Sequence, residues 1–306
     1  MNYKLYKLNF STPVHFGTGK LETSGIKFMA DSLFSAMCIE AKKLQGTDGI
    51  EQLYEYANDG KLLLSDLMPY CNEDYYLPKP MVKVEKEFSA SSVEKKKYKN
   101  TDYVKASEYA SFVTGSLNEQ PSFASEYTFT KLNRSREPEI DSTPYFVGTY
   151  KFYENCGLYF IIGYASDEQF YLVDDIMCSL GFTGIGGKVT SGLGKFIAVP
   201  SDLPKDIANL INNAEKSKYK ITLSTCLPTD DEIDDALEGA SYSLQKRSGF
   251  VASDNYATTN VKKQDLYTFA AGSAFLNTFK GKVYDVSIKG NHPVYRYSKP
   301  LFIGIG

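Results

Sequence analysis

The sequence predicts an α+β protein in two units, and three observations predict it. Through residues 1–199, segments of period two and period 3.6 succeed one another as strand, helix, strand, strand, helix, strand. A proline-marked polar stretch follows, with Pro200, Pro204 and the segment from Asn209 to Lys218 reading as a linker. Beyond it, residues 215–306 hold strand-like segments and one clear helix.

Tyr6, Leu8 and Phe10 alternate with Lys7 and Asn9, the period of a half-buried strand. The loop from Ser11 to Ile26 is polar and carries His15, Gly17, Gly19 and Lys20. Ala30, Leu33, Phe34, Met37, Ala41 and Leu44 then recur at helical spacing. Asp31 in the first turn and Lys42 and Lys43 in the last suit the macrodipole. A shorter helix over Ile50 to Ala57 ends near Gly60, and Leu62 to Leu64 reads as a short strand. Tyr75 to Tyr127 is different: lysine-rich, broken by Pro78, Pro80 and Pro121, it reads as an inserted arm with an irregular tip. Tyr145 to Tyr153 and Leu158 to Tyr164 predict a hairpin around Glu154, Asn155, Cys156 and Gly157. Ser166 with Gln169 forms a capping box for a helix through Leu172, Val173, Ile176, Met177 and Leu180, closed by Gly181. The strand Lys195 to Val199 completes a split βαβ unit of the ferredoxin-like or RRM-like kind. Such a unit packs both helices on one sheet face and leaves the other for a ligand or partner.

In the second unit, Tyr219 to Cys226 alternates as a strand, and Thr229 with Glu232 caps an acidic helix running to about Gly239. Further strands are expected at Tyr242 to Val251, Leu266 to Ala271, Gly281 to Ile288 and Val294 to Ile303. That unit is therefore also α+β.

Between the second helix and its strand lies the stretch from Gly184 to Lys195, in which glycine fills five of twelve positions. Backbone of this kind takes positive φ and approaches other groups closely. A P-loop fails here, because counting back from Gly187 and Lys188 lands on Phe182, and Val189 stands where the hydroxyl belongs. The dinucleotide fingerprint fails too, since a strand closed by Pro200 follows the loop rather than a helix. What remains is a strand-flanked loop offering backbone N–H groups with Lys188, Thr190, Ser191 and Lys195 to phosphates, or else a ligand-free connection.

Composition sets limits. A hydrophobic share of 42% excludes wholesale disorder. No apolar run approaches a membrane span and no greasy leader precedes Lys4 and Lys7, so a cytoplasmic protein is expected, with no membrane partner. Five scattered cysteines without a C-x-x-C pair signal neither zinc nor a disulfide framework, and no cofactor is expected. A net charge of -3 argues against coating nucleic acid by bulk charge, so any such site is local. From Lys79 to Lys105 there are eight lysines against four acids, whereas Asp230 to Glu238 holds six acids and no base. The basic arm and the acidic helix suit different neighbours, unless both are solvated charge runs.

The motifs His15-Phe16-Gly17-x-Gly19, Ala30 to Ala36 and Gly184 to Phe196 resemble the RAMP superfamily of CRISPR effector subunits. So do Lys263 to Tyr267, Gly272-Ser273, His292-Pro293 and Lys299 to Phe302, and the likeness is greatest to the fourth subunit of the type III-A (Csm) complex. The arm from Lys79 to Glu126 carries no alignable match.

This resemblance implies two ferredoxin-like domains, 1–199 with the glycine-rich loop 184–195 and 215–306, and a non-catalytic subunit that grips the 5′ handle of crRNA. It implies docking to the large palm-domain subunit and the backbone RAMP subunit. It also implies a thumb at the guide–target duplex, which by analogy would be the arm 79–126, near target RNA. Single-stranded RNA calls for backbone donors at phosphates and flat or hydroxyl side chains at bases and 2′-OH groups. Gly186, Gly187, Lys188, Thr190, Ser191 and Gly192 lead as contacts, with Lys195, and with His15 and Gly17 from the family pattern. Arg134 and Arg136, spaced to share one side of an extended segment, could reach phosphate or serve as surface ion-pair partners. Lys246, Arg247 and Ser248 are weaker candidates, as are Lys262 and Lys263. The alternative is a RAMP endoribonuclease processing repeat RNA, but acid–base cleavage would have to rely on His15 and His292, far apart in sequence.

Overall fold

The computed structural model describes residues 1–82, 96, 98–115, 120–133, 143–253 and 255–306. In chain order the first part contains β1 (Asn2–Phe10), β2 (Phe16–Gly17), β3 (Ser24–Gly25), α1 (Ala30–Asn58), β4 (Leu62–Leu64), β5 (Met68–Cys71) and β6 (Asp74–Pro78). It continues through β7 (Tyr103–Lys105), α2 (Tyr109–Val113), β8 (Ala124–Asn133), β9 (Thr143–Phe152), β10 (Cys156–Tyr164), α3 (Asp167–Thr183) and β11 (Phe196–Ser201). Among the described residues a seven-stranded antiparallel sheet runs β11-β1-β10-β5-β6-β7, with β4 also paired to β10.

Strand β10 lies at the centre because it is apolar on both faces: all nine of its residues are buried. Leu158, Phe160 and Ile162 face one core with Tyr6 and Leu8 of β1, Leu33, Phe34 and Met37 of α1, and Val173 and Ile176 of α3. Each such side chain, fully buried, stabilises the fold by roughly 1.5–3 kcal/mol. The expectation of two helices packed together beside one sheet face is met in this half.

The opposite face is not left open. Leu5, Tyr159 and Ile161 sit in a second core with Ile207, Ile211, Ile221, Leu223, Ile303 and Ile305 from the C-terminal half. Tyr103, Tyr109, Phe112 and Phe123 join the same core, so the described parts of the expected arm are folded against the sheet rather than projecting from it. Met81 N–H donates to the Gly272 carbonyl at 2.8 Å, stitching the insertion to the C-terminal half.

Helix α1 merges the two expected helices across a kink at Gly46, whose φ is 72°. Its start has no cap from Met29; instead Asp66 Oδ1 accepts the Ala30 N–H at 2.8 Å. The capping box at Ser166 forms as expected, with Gln169 Oε1 accepting the Ser166 N–H at 2.7 Å. Gly181 does not close α3. It stays inside the helix, where a Cβ would stand 2.5 Å from the Phe196 carbonyl oxygen, and Gly184 at φ 89° ends the helix.

The expected pairing of Tyr145 to Tyr153 with Leu158 to Tyr164 does not occur. Strand β9 pairs with β8 over ten positions from Ala124↔Phe152 to Asn133↔Thr143, while β10 is claimed by β1, β4 and β5.

The second part holds α4 (Lys205–Asn212), β12 (Tyr219–Thr222), α5 (Ile233–Leu237), β13 (Leu244–Arg247), β14 (Leu266–Phe269), β15 (Ala274–Phe275), β16 (Val283–Asp285), β17 (Tyr295–Tyr297) and β18 (Phe302–Ile305). The presumed linker thus contains a helix, anchored by buried Ile207 and Ile211. The acidic helix is short, and Glu232 turns inward to accept the N–H groups of Thr229, Lys280 and Gly281 at 3.0, 2.8 and 3.1 Å. Strands β15-β12-β18 form a small antiparallel sheet, and β13-β14 and β16-β17 are separate ribbons.

Two buried carboxylates hold the halves together. Asp31, buried at the start of α1, receives Arg247 Nε and Nη2 at 2.9 and 2.7 Å and Arg296 Nη1 at 3.2 Å. Asp66 accepts the Thr225 N–H and hydroxyl at 2.8 and 2.9 Å. Burial pushes the Asp66 carboxyl up to about 6 in spite of these donors.

Candidate nucleic-acid interface

The glycine-rich loop joins a helix to a strand, α3 to β11, as the order of elements in the sequence places it, so only one of its flanks is a strand. It turns through left-handed backbone at Gly184, Gly186, Lys188, Gly192 and Gly194, with a short 3-10 turn at Val189–Ser191. The sequence reasoning expects glycine here for close approach to a ligand. Much of that approach is to protein: a Cβ on Gly186 would lie 2.7 Å from the His15 carbonyl oxygen, and one on Gly194 would lie 2.0 Å from that of Ile185.

Three segments converge as a result. Gly187 N–H donates to the His15 carbonyl at 2.8 Å and Gly194 N–H to that of Pro13 at 2.9 Å, so the loop lies on the connection between β1 and α1. Lys195 N–H donates to Thr12 Oγ1 at 2.9 Å. The same connection is tied to β9 through paired backbone bonds between Val14 and Tyr150 at 2.8 and 2.9 Å. Gly148 of β9 completes the junction, because a Cβ there would stand 2.2 Å from the Glu22 carbonyl oxygen. A glycine inside a strand marks such a close approach, and that signal was present in the sequence.

His15 is at the centre of this junction and is buried. Its Nδ1 lies 2.6 Å from the Gly148 carbonyl oxygen, which can only accept, so Nδ1 carries a proton and donates. The Nε2 edge lies between Gly17 and Gly187, since a Cβ on either would be 3.5 Å from it.

Around this buried centre the rim is polar. Gly17, Thr190, Ser191 and Lys195 are exposed and Lys188 is half-buried, its Nζ 5.5 Å from the centroid of the Tyr145 ring, two pairs in from the Asn133↔Thr143 end of the β8–β9 hairpin. Sequence reasoning did not single out Tyr145 as a neighbour of the loop, because the hairpin had been paired the wrong way. The hairpin itself displays Tyr127, Leu132 and Phe146 to solvent.

The other candidates lie elsewhere. Arg134 and Arg136 fall outside the described residues. Lys246 and Ser248 are exposed on and just after β13, with Lys246 paired to Asp265 at 2.7 Å. Arg247 turns the opposite way and is committed to Asp31, so its guanidinium is unavailable to phosphate. Burial opposes the charge on Arg247, but the Asp31 carboxylate outweighs it and raises the pKa of the guanidinium. Lys263 is half-buried, and burial followed by the Arg296 charge lowers its pKa.

No group of His, Cys, Asp and Glu able to hold a metal occurs among the described residues, and no helix there is long and apolar enough to cross a membrane.

Residues 215–305 match the family described as the CRISPR Csm4 C-terminal domain. The chain is similar to the CRISPR system Cms protein Csm4 of Mycobacterium tuberculosis (strain CDC 1551 / Oshkosh), 37% identical over 310 residues, covering 100% of this chain and 98% of that protein. It is similar as well to the protein of the same name from Streptococcus thermophilus, 35% identical over 311 residues, covering 99% and 98%. In fold it is similar to a chain in the crystal structure of the Csm3-Csm4 subcomplex of the type III-A CRISPR-Cas interference complex, with a TM-score of 0.71, 20% identity and 99% of each chain covered. A chain of the Csm1-Csm4 cassette in complex with AMPPNP is similar too, with a TM-score of 0.65, 19% identity and 99% and 98% covered. Relatives this similar along the whole length, together with the matched C-terminal domain, mean that the chain belongs to the Csm4 family of CRISPR proteins.

Proposed function

We propose that this chain is the non-catalytic subunit of a type III-A CRISPR-Cas (Csm) effector complex that binds the 5′ handle of crRNA, in the service of antiviral defence. The observation that carries the reading is the junction of three segments: the loop 184–195, the connection bearing His15 and Gly17, and strand β9 from Tyr145 to Tyr150. Its rim offers Lys188 and Lys195 as cations and Thr190 and Ser191 as hydroxyls, on a glycine backbone whose shape is set from below by His15. A single-stranded leader with closely spaced phosphates and 2′-OH groups suits such a rim.

The sheet order supports the domain reading. Strands β11, β1, β10 and β4 with β5, joined by α1 and α3, follow the order required of a ferredoxin-like unit over 1–199. The second unit, 215–306, is assigned to the same class by family likeness. The thumb role moves from 79–126 to the β8–β9 hairpin, because Tyr103, Tyr109, Phe112 and Phe123 of that stretch are packed into a core while the hairpin exposes Tyr127, Leu132 and Phe146. Target RNA is the expected neighbour of that hairpin. Docking to the large palm-domain subunit and to the backbone RAMP subunit is supported by the settings of the similar folds, a Csm1-Csm4 cassette and a Csm3-Csm4 subcomplex.

A repeat-RNA endoribonuclease gains no support from the site. His15 is buried with its Nδ1 engaged, and His292 Nε2 is 2.9 Å from Ser253 Oγ in the other half. The test is co-expression of Lys188→Glu with Lys195→Glu alongside the partner subunits and a repeat–spacer transcript. Guide RNA recovered per complex should fall while the chain itself remains folded; normal guide content would overturn the assignment.

A further inference from the structure

Strands β5 and β10 are paired in a register that sets Cys71 directly opposite Cys156. Residues opposed in this way have Cα atoms about 4.5–5.5 Å apart, within the span of a disulfide. The two Sγ atoms are already 2.8 Å from one another. Immediately beyond the pair both strands turn away through left-handed asparagines, Asn72 at φ 56° and Asn155 at φ 58°. Asn72 N–H donates to the Asn155 carbonyl at 2.8 Å, so the turns are tied to each other and hold the thiols face to face.

The thiols differ in access. Cys71 is half-buried and Cys156 is buried. Burial, reinforced by Cys71, pushes the Cys156 thiol up to about 12. Cys71 is therefore the sulfur that meets a reagent from solvent, and Cys156 the one held behind it.

We propose that Cys71 and Cys156 are a dithiol switch that closes to an intramolecular disulfide on reaction with a low-molecular-weight disulfide such as oxidised glutathione. The Cys71 thiolate attacks one sulfur of the reagent, forming a mixed disulfide and expelling one thiolate. Cys156 then loses its proton and attacks the Cys71 sulfur, expelling the second thiolate. Two protein thiols are oxidised, one disulfide is reduced to two thiols, and the protons pass to the leaving groups. Proximity favours the second step, offsetting the small thiolate fraction that the raised pKa of Cys156 leaves. The bond joins residues 85 positions apart and ties β5, which leads through β6 and β7 into the insertion, to the central strand. Closing so long a loop stabilises the fold largely by restricting the unfolded chain.

The test uses the full-length protein. It is treated with oxidised glutathione, denatured in iodoacetamide, digested and mapped by mass spectrometry. The expected product is a Cys71–Cys156 cross-linked peptide that dithiothreitol removes, with a melting temperature that rises on oxidation and falls back on reduction. In Cys156→Ser the expected product is a glutathione adduct on Cys71. Wild-type protein in which Cys156 is alkylated, whether Cys71 is free or carries glutathione, would overturn the proposal, and that readout needs no variant to fold.

Discussion

Asp31 and Arg247 form a two-pronged ion pair across 216 positions of sequence, with Nη2 2.7 Å and Nε 2.9 Å from the two carboxylate oxygens. Arg296 adds a third contact, and its Nε has no partner among the described residues. Removing the carboxylate leaves two guanidinium groups enclosed without a counter-charge. Asp31→Ala should therefore destabilise the protein by about 3–5 kcal/mol, read from urea denaturation. Lys246→Ala, which breaks a surface pair with Asp265, should leave the midpoint where it is. Equal midpoints for the two variants would contradict this account.

Asp66 gives the fold a pH signature. Its folded pKa, raised by burial from 3.8 to about 6, means that the native state holds a proton the unfolded chain has already lost. Its contribution to stability is full below about pH 4 and is lost as pH rises through about 6, amounting to something on the order of 3 kcal/mol. Asp66→Asn keeps an oxygen for the Ala30 and Thr225 N–H groups, both of which now donate to Oδ1. The stability of the variant relative to wild type should increase between pH 4 and pH 6 and then level off. A difference independent of pH would show that Asp66 ionises normally.

Glycines in the loop 184–195 should separate into two kinds. Gly192, at φ 83° with nothing near its missing Cβ, should tolerate alanine at a cost of about 1 kcal/mol from left-handed strain alone. Gly194→Ala drives a methyl into the Ile185 carbonyl oxygen and should cost about 3 kcal/mol. Thermal melts of the two variants decide it, and equal losses would mean that packing does not set the loop's shape.

On the β8–β9 hairpin, exposed Leu132 and Phe146 are available to a partner. Leu132→Asp with Phe146→Asp should change stability by no more than about 0.5 kcal/mol, since neither side chain is in a core. Loss of target-RNA binding by the assembled complex, with guide content retained, is the expected phenotype. Unchanged target binding would remove the thumb role from this hairpin.

Local signals carried most of the elements. The period of Tyr6, Leu8 and Phe10, the helical spacing from Leu33 to Met37 and the Ser166 capping box each resolve to the element they indicate. Pairing was less legible. The turn at Asn155 suggests a hairpin between β9 and β10, yet the unbroken apolar run of β10 demands partners on both sides, and β1, β4 and β5 supply them. The polar look of Asn209 to Lys218 hid the Ile207 and Ile211 stripe of α4. Asp31 had a sufficient local explanation at a helix start, and nothing local announces Arg247 and Arg296. At the candidate site the glycines were evident from composition, but their burial against His15 needed the fold.

The central claim is that the rim formed by Lys188, Thr190, Ser191 and Lys195 touches the 5′ handle. Photo-crosslinking an assembled complex whose guide carries 4-thiouridine only in the handle, followed by mass spectrometry of the adducts, tests it directly. Adducts on 184–195 and on the connection bearing His15 and Gly17 are the predicted result. Adducts confined to other surfaces of the chain, or to other subunits, would contradict it.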